Sequence, residues 1–367
     1  MAGSVYGTIF RISTWGESHG KGLGVIVDGC PAGLPLSEED IQVYLDRRKP
    51  GGSRFATPRK EDDAVEILSG VFEGRTTGTP ISMTVYNRNQ KSADYSEIAG
   101  YYRPGHADYT FDEKYGFRDY RGGGRSSGRE TVGRVAAGAV AAKLLKEIGV
   151  ELVTYSRKIG GIEIDEENFD KGEILRNAVC MPDAQAAKQA EELLAGKLAE
   201  KDSVGGVIEC RITGLPSGIG EPVFEKLNAN LGKAVLSIGA VKGFEIGDGF
   251  AAANAFGSQN NDSFYCDGEG KIRKSSNHGG GIYGGISDGS EIRFRAAVKP
   301  TPSISRPQRT VNKSGENIEV SIKGRHDPII VPRAVVVVES MAAVTLADML
   351  LMSMSSRLDS VIRFFRG

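Results

Sequence analysis

The residues most able to do chemistry lie in one stretch of the first half of the chain, "DYRGGGRSSGRETVGRVAAGAVAAKLL" (119–145). Its glycines permit positive φ and let a ligand approach the backbone closely. Its serine hydroxyls stand just before a predicted helix, whose unpaired N–H groups and dipole favour negative charge. Its arginines supply permanently charged, forked donors that match phosphate and carboxylate. The groups concerned are Gly122–Gly124, Gly128, Ser126, Ser127, Arg125, Arg129 and Arg134.

Two alternatives for this stretch are a disordered Arg-Gly loop and an RNA-binding segment. Disorder is disfavoured because a well-patterned helix follows at once. RNA binding calls for repeated boxes in a basic domain, whereas this cluster is single and the formal net charge of the chain is −1. The stretch therefore predicts an ordered anion site.

All four histidines of the chain lie in segments that carry Gly, Pro or Arg, and none lies on an apolar helical face: His19, His106, His278 and His326. Loops of this kind carry catalytic groups disproportionately often. No H-E-x-x-H motif or His/Cys spacing indicates zinc. The G-x-G-x-G of residues 20–24 lacks the third spacing and the following helix of a dinucleotide fingerprint. We therefore expect acid–base roles for histidine and no metal site.

A second cationic stretch spans residues 46–63, where Arg48 and Arg54 flank a Pro-Gly-Gly turn. Taken alone, it is typical of a charged surface loop. Shorter cationic runs follow at residues 298–308 and 322–334. Together these segments predict several arms that converge on polyanionic ligands.

Composition limits the class of protein. A net charge of −1 over 367 residues gives no global field that would attract nucleic acid or an acidic membrane. No run of about 18 apolar residues predicts a membrane span, and the first residues lack a secretory signal pattern. The four cysteines are far apart, as in proteins of a reducing compartment. We therefore expect a cytoplasmic protein.

The predicted elements form runs of strands as well as strand–helix alternations, which argues against a simple doubly wound parallel sheet. β-branched runs bounded by Gly or Pro predict strands at 24–29, 81–87, 151–155, 206–212, 291–298 and 318–322. Helical spacing predicts helices at 36–48, 130–149, 183–201, 224–238 and 333–358. Ser37 is the expected N-cap of the first helix, and Gly149 is the expected C′ residue of the second.

Two sequence echoes occur in the same order along the chain. Residues 24–35 resemble 206–218, and residues 70–85 resemble 281–296 with glycines aligned at constant offset. Chance matches between short Gly-rich segments are the alternative. If the echoes are real, they predict two related halves, about 1–150 and 151–367, that pack as one unit and are not independent domains.

Seven short motifs are spread over nearly the whole chain, from residue 16 to residue 351: "GESHG", "RPGHAD", "RGGGRSSGRET", "AVKG", "KPTPS", "GRHDP" and "TLADMLL". In these motifs and in their order the chain resembles the chorismate synthase family. The resemblance implies an α/β (α+β) fold in a single domain, 1–367. This fold is a β-α-β sandwich, with central helices between antiparallel sheets and a pseudo-two-fold internal repeat. It also implies a homotetramer.

The resemblance implies a lyase that converts 5-enolpyruvylshikimate-3-phosphate to chorismate and phosphate by anti-1,4-elimination. This is the last common step of the shikimate pathway to aromatic amino acids. Reduced FMN is the implied cofactor, although the overall reaction is redox-neutral, and NADPH enters only indirectly, to supply reduced flavin. The many cations then match a substrate with two carboxylates and a phosphate beside a flavin phosphate. No nucleic acid or membrane partner is expected.

Carried over motif by motif, the resemblance assigns site residues in this chain. The residues expected to bind FMN are Arg125, Ser126, Ser127, Gly239, Ala240, Gly284, Lys299, Pro300, Thr301, Pro302, Ser303 and Arg325. Family members often have Asn or Gln where this chain has Gly239, so a backbone contact is expected there. The residues expected to bind the substrate are Ser18, Arg48, Arg54, Arg129, Arg134 and Arg333.

Three residues are expected to be catalytic. His19 would protonate the departing phosphate, whose second pKa is about 6, and His106 would protonate or stabilise the reduced flavin. The C6 proton would pass by way of the flavin N5 to Asp348, which without the family match is an ordinary exposed helix carboxylate. One rival function is a flavoprotein oxidoreductase that uses NADPH and FMN. The other is a non-enzymatic RNA-binding protein with steep salt dependence.

Overall fold

The computed structural model describes residues 3–49, 62–88, 97–322 and 327–367. The helices are α1 (Glu38–Arg48), α2 (Asp108–Tyr115), α3 (Thr131–Glu147), α4 (Ala184–Ala199), α5 (Leu227–Leu236), α6 (Gly257–Asn260), α7 (Val331–Ser353) and α8 (Leu358–Arg366). The strands are β1 (Val5–Tyr6), β2 (Arg11–Gly16), β3 (Gly22–Asp28), β4 (Val65–Ile67), β5 (Val71–Phe72), β6 (Arg75–Thr76), β7 (Ile81–Tyr86), β8 (Glu151–Ile159), β9 (Ile162–Glu163), β10 (Gly206–Thr213), β11 (Val241–Ile246), β12 (Phe264–Cys266), β13 (Ile272–Lys274), β14 (Ile282–Tyr283), β15 (Ile286–Ser287), β16 (Ile292–Val298), β17 (Gln308–Val311) and β18 (Asn317–Val320).

Two five-stranded antiparallel sheets form the outer layers. The first sheet has the order β1-β2-β3-β7-β4, and the second has the order β11-β16-β10-β8-β9. Alternate residues of each strand point inward, so that side chains such as Val25, Met83, Ile208 and Phe294 are fully buried. Helices α1, α3, α5 and α7 lie between the sheets and pack against one another and against the inner faces. The predicted sandwich with central helices is confirmed.

The second sheet repeats the first when its order is read backwards. Strands β1, β2, β3, β7 and β4 then correspond to β9, β8, β10, β16 and β11. The helices and small hairpins follow the same plan, because α1, β5/β6 and α3 recur as α5, β14/β15 and α7. The two sequence echoes therefore fall on equivalent elements. The first set ends with α3 at Glu147 and the second begins with β8 at Glu151, and both contribute to one core.

Small residues let α3 approach both the first sheet and α7. A Cβ added at Gly133 would lie 2.9 Å from the carbonyl oxygen of Gly24 in β3. A Cβ added at Gly138 would lie 2.2 Å from the Cβ of Ser340 in α7. Real Cβ contacts are never that short, so glycine at position 138 is required by the helix crossing. The crossing fixes α3, whose N-terminal end follows the predicted anion-binding stretch.

Helix α7 is long and apolar enough to cross a membrane by length and composition, with a mean hydropathy of 1.9. The sequence analysis did not anticipate such a segment, because Glu339 and Asp348 interrupt the apolar run. In the fold, 83% of its most apolar window is buried. We therefore describe α7 as the core helix of the sandwich.

Most predicted elements are present, with changes at their ends. The helix predicted at 333–358 is divided, because α7 ends at Ser353 and α8 begins at Leu358. The helix predicted at 224–238 begins only at Leu227. The N-terminal strands β1 and β2 and the short helix α2 were not predicted, because their apolar patterns are brief. Gly149 has the φ of +80° expected of a C′ residue.

A substitution at the crossing of α3 and α7 tests this packing. Gly138→Ala should lower the free energy of unfolding by about 1–3 kcal/mol, because the new methyl group overpacks the contact with Ser340. Gly196→Ala on α4 is the matched control, since no atom lies within 4 Å of its Cβ position. There the better helix propensity of alanine should raise stability by about 1 kcal/mol or less. Equal unfolding curves for the two variants would contradict the packing.

Candidate active site

The predicted anion-binding stretch leads directly into α3 through two short 3-10 turns, Gly124–Ser126 and Gly128–Glu130. Before them, Gly122, Gly123 and Gly124 have φ values of +66°, +86° and +53°. L side chains rarely adopt this conformation, so the backbone itself calls for three successive glycines. The result is a tight, bare segment of chain in front of the central helix.

Two histidines lie against this glycine segment. A Cβ at Gly122 would lie 2.4 Å from Cε1 of His19, and a Cβ at Gly123 would lie 3.2 Å from Cε1 of His106. Because the two glycines are adjacent and consecutive Cα atoms are 3.8 Å apart, the imidazoles lie within about 12 Å of each other. His19 is buried, and the Oγ of Ser18 lies 3.2 Å from its Nδ1. The structure thus brings together the two histidines predicted to be catalytic.

A buried carboxylate orients His106. The Nδ1 atom of His106 lies 2.9 Å from Oδ1 of Asp108, which also accepts hydrogen bonds from Nε and Nη2 of Arg103 at 2.7 and 2.8 Å. Burial alone would raise the pKa of Asp108, but the hydrogen bonds from Arg103 and His106 hold it well below its usual range. Nη2 of Arg103, which can only donate, lies 3.0 Å from the same Nδ1, so that Arg103 and Asp108 together fix the position of the ring, and Nε2 lies 3.5 Å from the Cβ position of Gly123.

Arg48 and Arg129 share one buried carboxylate, that of Asp63. Arg48 donates from Nη1 to Asp63 Oδ2 at 2.9 Å, and Arg129 donates from Nη1 to Asp63 Oδ1 at 2.8 Å. Arg48 also donates to Thr131 Oγ1 at 3.0 Å and to the carbonyl of Gly128 at 3.1 Å. Burial would raise the pKa of Asp63, but the two guanidinium groups outweigh it and lower the pKa. The α3 end of the site is therefore strongly cationic.

Arg333 of α7 adds a third guanidinium group beside this pair. Its Nε donates to the carbonyl oxygen of Arg48 at 3.1 Å, and its Nη1 donates to Asp327 at 2.5 Å. Burial, and then the positive charge of Arg333, lower the pKa of Arg48 to about 9, despite the opposing effect of Asp63. We call Arg48, Arg129, Arg333, Asp63 and Asp327 the arginine cluster.

Asn87 connects the arginine cluster to the loop that carries His19. Its Nδ2 donates to the carbonyl oxygens of Glu17 and Gly20 at 3.1 and 2.9 Å. Its Oδ1 accepts from Nε of Arg129 at 2.5 Å. The histidine pair and the arginine cluster therefore belong to one site.

The predicted cofactor residues just before β11 and just after β16 lie beside the loop of His106. The carbonyl oxygen of Ala240 accepts from the backbone N–H of Lys299 at 3.0 Å. The Nζ of Lys299 donates to the carbonyl of Gly105, and Pro302 lies 3.2 Å from the Cβ position of that glycine. Burial, together with nearby Lys242, lowers the pKa of Lys299. The segment 299–303 thus borders the loop that carries His106.

The other residues of the segment 299–303 contact the chain just before β10. Pro300 lies 3.0 Å from the Cβ position of Gly205, and the carbonyl of Thr301 accepts from Ser203 at 2.7 Å. Ser303 is buried. These contacts fix the backbone course of the segment against β10.

Arg125 and the serines after it are held by uncharged groups. Arg125 donates to the carbonyl oxygen of Gly16 at 3.1 Å and to the hydroxyl Oγ1 of Thr14 at 2.7 Å, and both of these acceptors are neutral. Ser126 Oγ donates to the carbonyl of Gly123 at 2.7 Å. Ser127 Oγ accepts from the backbone N–H of Arg129 at 3.3 Å, capping the second 3-10 turn.

Arg134 joins the two halves near Gly239. It pairs with Glu130 at 2.9 Å, and its Nη1 donates to Ser237 Oγ at 2.6 Å. Ser237 immediately follows α5, and Gly239 and Ala240 come after Ile238. The Cβ position of Gly239 has no atom within 4 Å, and Ala240 has a φ of +71°.

Two predicted site residues lie elsewhere in the fold. Gly284 is in the β14–β15 hairpin, which packs against residues just before α5, whereas Gly239 follows the opposite end of α5, roughly 15 Å away along the helix. Asp348 accepts hydrogen bonds from the backbone N–H groups of Thr8, Ile9 and Phe10 at 2.9, 2.7 and 3.0 Å. It is buried, and it lies roughly 22 Å along α7 from Arg333.

The expectation for Asp348 therefore needs correction. Its carboxylate holds the N-terminal segment onto α7 and is neither an exposed helix carboxylate nor a member of the site. Arg54, Arg325 and His326 lie outside the described residues. The remaining histidine, His278, has its Nδ1 2.6 Å from Oδ2 of Asp248.

Several residues of the site were missed by sequence reasoning. Arg103 and Asp108 flank His106 in the quoted motif, and a His-x-Asp spacing was an available signal. Asp327 follows His326 in the quoted motif "GRHDP", so its place in that motif was an available signal of a site residue. Asp63 stands in an ordinary charged run and Asn87 ends a strand, so neither carried any recognisable pattern.

Comparison with known proteins identifies the family of this chain. The family model described as chorismate synthase matches residues 10–351. A chorismate synthase of Lachnospira eligens is 68% identical over 366 residues, covering 100% of both chains. One from Chloroflexus aggregans is 56% identical over 96% of both chains.

A solved crystal structure of chorismate synthase is similar in fold, with a TM-score of 0.76. It is 32% identical in sequence and covers 98% of this chain and 97% of its own. The family resemblance noted from the sequence is thereby confirmed, as is the prediction that the protein is an enzyme. The chain belongs to the chorismate synthase family.

Proposed function

We propose that the enzyme converts 5-enolpyruvylshikimate-3-phosphate to chorismate and phosphate by anti-1,4-elimination, and that it requires reduced FMN. The observation that carries this proposal is the position of two histidines against one glycine segment, beside a buried arginine cluster. Such a site can bind a multiply charged anion and transfer protons to or from it.

The arginine cluster is suited to the substrate's charge. Two carboxylates and a phosphate repel one another by about 4 kcal/mol per pair at 4 Å and intermediate effective dielectric. Arg48, Arg129 and Arg333 present three guanidinium groups, and Asp63 holds the first two in fixed orientation. These arginines therefore bind and orient the substrate. Arg134, and Arg54 outside the described residues, are proposed to assist, and Ser18 contacts the substrate beside His19.

The residues near His106 fit a flavin mononucleotide. Arg125 and Lys299 donate to neutral acceptors, so a phosphate anion can gain their charge without displacing a carboxylate. At Gly239 the open Cβ position leaves the backbone accessible to a planar ring. We propose that Arg125–Ser127, Gly239, Ala240 and Lys299–Ser303 hold FMN, with Arg325, outside the described residues, as a further proposed contact. Gly284 is not included, because it lies at the opposite end of α5 from Gly239. Reduced FMN, when bound, supplies electron density to the carbon–oxygen bond that breaks.

The protons are handled by side chains of the site. His19 donates a proton to the departing phosphate and is kept in place by Ser18 and by the Gly122 backbone. His106 acts on the cofactor side, where Asp108 and Arg103 hold its ring in place through contacts to Nδ1. For the proton that leaves C6, we propose Asp327 as the acceptor, because it belongs to the arginine cluster and Asp348 does not.

Other expectations remain part of the proposal. NADPH serves only to regenerate reduced flavin, the protein works in the cytoplasm, and it assembles as a homotetramer. The near-neutral net charge supports a small-molecule substrate over nucleic acid.

An anaerobic assay tests the reaction and the histidines together. With the phosphorylated substrate and chemically reduced FMN, the wild-type enzyme should form chorismate, followed by absorbance, without consuming NADPH. His19→Ala and His106→Ala should each lower kcat by about 10²- to 10⁴-fold. Their thermal midpoints serve as the folding control. Turnover near the wild-type rate, or NADPH consumption that tracks product, would contradict the proposal.

A pair of aspartate variants separates chemistry from folding at the end of the chain. Asp327→Asn should lower kcat by at least about 10²-fold with a small change in thermal midpoint, because the variant keeps its size but loses basicity. Asp348→Asn should lower the thermal midpoint and leave kcat near wild type, because it weakens the bonds to three backbone N–H groups. The opposite pattern would return the proton-accepting role to Asp348.

A further inference from the structure

A buried ion pair that the proposed mechanism does not use joins α1 to α7. Nη1 and Nη2 of Arg47, in the last turn of α1, donate to Oε1 and Oε2 of Glu339 at 2.7 and 2.8 Å. The side chain of Glu339 is 7% exposed and that of Arg47 is 25% exposed. Such a two-bond contact between a guanidinium group and a carboxylate fixes the relative orientation of the two side chains as well as their distance.

The guanidinium group of this pair keeps its charge in the interior. Burial would lower the pKa of Arg47, but the hydrogen bonds and the negative charge of Glu339 outweigh it and raise the pKa. The ring of Tyr44, three residues earlier on α1, has its centre 5.4 Å from the guanidinium carbon of Arg47. Arg47 and Glu339 together are formally neutral, so the pair adds nothing to the positive charge of the arginine cluster.

Helix α7 holds the last turn of α1 at two points. The first is the Arg47–Glu339 pair, and the second is the hydrogen bond of 3.1 Å from Nε of Arg333 to the carbonyl oxygen of Arg48. That carbonyl is one of the groups that a helix end leaves without an intrahelical partner. Arg333 and Glu339 are six residues apart, so the two contacts are separated by roughly 9 Å along α7. Together they fix the rotation and the axial position of the last turn of α1.

This last turn also carries the substrate-binding residue Arg48. Adjacent residues of a helix point about 100° apart, so Arg47 and Arg48 face different neighbours. Arg47 contacts α7, whereas Arg48 donates to Asp63 and Thr131. A rotation of the turn that separated Arg47 from Glu339 would carry Arg48 away from its own partners by a similar angle. The orientation of Arg48 is therefore tied to the ion pair of its neighbour.

The equivalent helix pair of the other half, α3 with α5, is joined without buried charge at the corresponding positions. Nη2 of Arg134 donates to the carbonyl oxygen of Ser237, just after α5, at 3.3 Å, which is the counterpart of the Arg333 contact. The residue before Ser237 is Leu236, and the residue six positions after Arg134 is Val140. Both positions are apolar. The packing of such helices in this sandwich thus does not by itself require an ion pair.

We propose that Glu339 is a positioning residue for substrate binding: through Arg47 it sets the orientation in which Arg48 meets an anionic group of the substrate. Buried ion pairs add little stability compared with apolar residues of similar size, and their best-attested use is to select one packing arrangement among several. Here the arrangement selected is the one that places Arg48 against Asp63. The inference rests on the proposed function, because it assigns a role in binding 5-enolpyruvylshikimate-3-phosphate.

A double substitution separates positioning from stability. Arg47→Met combined with Glu339→Met removes both charges and leaves the net charge unchanged, so the thermal midpoint should equal or exceed that of wild type. The dissociation constant of 5-enolpyruvylshikimate-3-phosphate, measured by titration calorimetry with FMN present, should nevertheless rise about tenfold, as on the loss of one hydrogen bond to a charged group. Wild-type affinity in a folded double variant would overturn the proposal.

Glu339→Gln distinguishes positioning from a long-range effect of charge. The variant keeps the size of the side chain but removes a negative charge near the arginine cluster, so a purely electrostatic effect would tighten the binding of an anion. Loss of the two-bond contact with Arg47 should instead weaken substrate binding by about tenfold. Tighter or unchanged binding would overturn the proposal, even if the double variant fails to fold.

Asp40→Asn is the matched control. Oδ1 of Asp40 accepts from Nζ of Lys143 on α3 at 2.5 Å, so this variant also removes a negative charge from an ion pair that ties α1 to a central helix. Asp40 lies in the first turn of α1, roughly 12 Å from Arg48 along the helix, and its variant should bind substrate as wild type does. An equal loss of affinity in Asp40→Asn would overturn the specific role of Glu339.

The same titrations keep the two proposals apart. A wild-type enzyme that does not bind the substrate would contradict the proposed function, and with it the role of Glu339. Binding by the wild type together with unchanged affinity in the Glu339 variants would contradict the positioning role alone.

Discussion

The sharing of Asp63 by Arg48 and Arg129 is the interaction on which the site depends. Two buried guanidinium groups held close together are unfavourable without a counter-charge, and removal of one partner from a buried pair typically costs about 3–5 kcal/mol. Asp63 offsets part of this repulsion. With three guanidinium groups against the carboxylates of Asp63 and Asp327, the arginine cluster keeps a positive excess. That excess is what a multiply charged anion can satisfy. Burial, followed by the positive charge of Arg333, lowers the pKa of Arg48 to about 9.

The fold keeps this cluster rigid by joining elements that are distant in sequence. Arg48 ends α1, Arg129 precedes α3 and Arg333 begins α7. These three helices meet in the centre of the sandwich, where Gly138 allows α3 and α7 to approach closely. Because the helices are packed on both sides by sheets, the guanidinium groups cannot move apart to relieve their repulsion. The glycine segment 122–124 then places His19 and His106 at the border of the same charged region.

Sequence patterns predicted most of the fold, and the reasons are local. The helices α3 and α7 and the strands β3, β7, β10 and β16 have clear periodicity, and the Gly-anchored echoes fall on equivalent elements. The histidines were found because all of them stand in loops rich in special residues. The grouping of Arg48, Arg129 and Arg333 followed from the family resemblance and from their common chemistry.

Other features of the site depend on tertiary contacts that no local pattern reveals. Asp63 and Asn87 act through residues far away in sequence, so their neighbours carry no trace of the role. Asp348 was misjudged because a carboxylate in a motif gives no sign of whether its partners are ligands or backbone N–H groups.

The central claim, that the buried arginine cluster is an anion site with a net positive charge, is tested most directly by ligand-dependent stability. The free energy of unfolding should be measured for the wild type and Arg48→Met as 5-enolpyruvylshikimate-3-phosphate is added. For the wild type it should rise by about 2.7 kcal/mol at one hundred times the dissociation constant, and at the same ligand concentration Arg48→Met should show little or no rise. An equal rise in both proteins, or none in the wild type, would contradict the account.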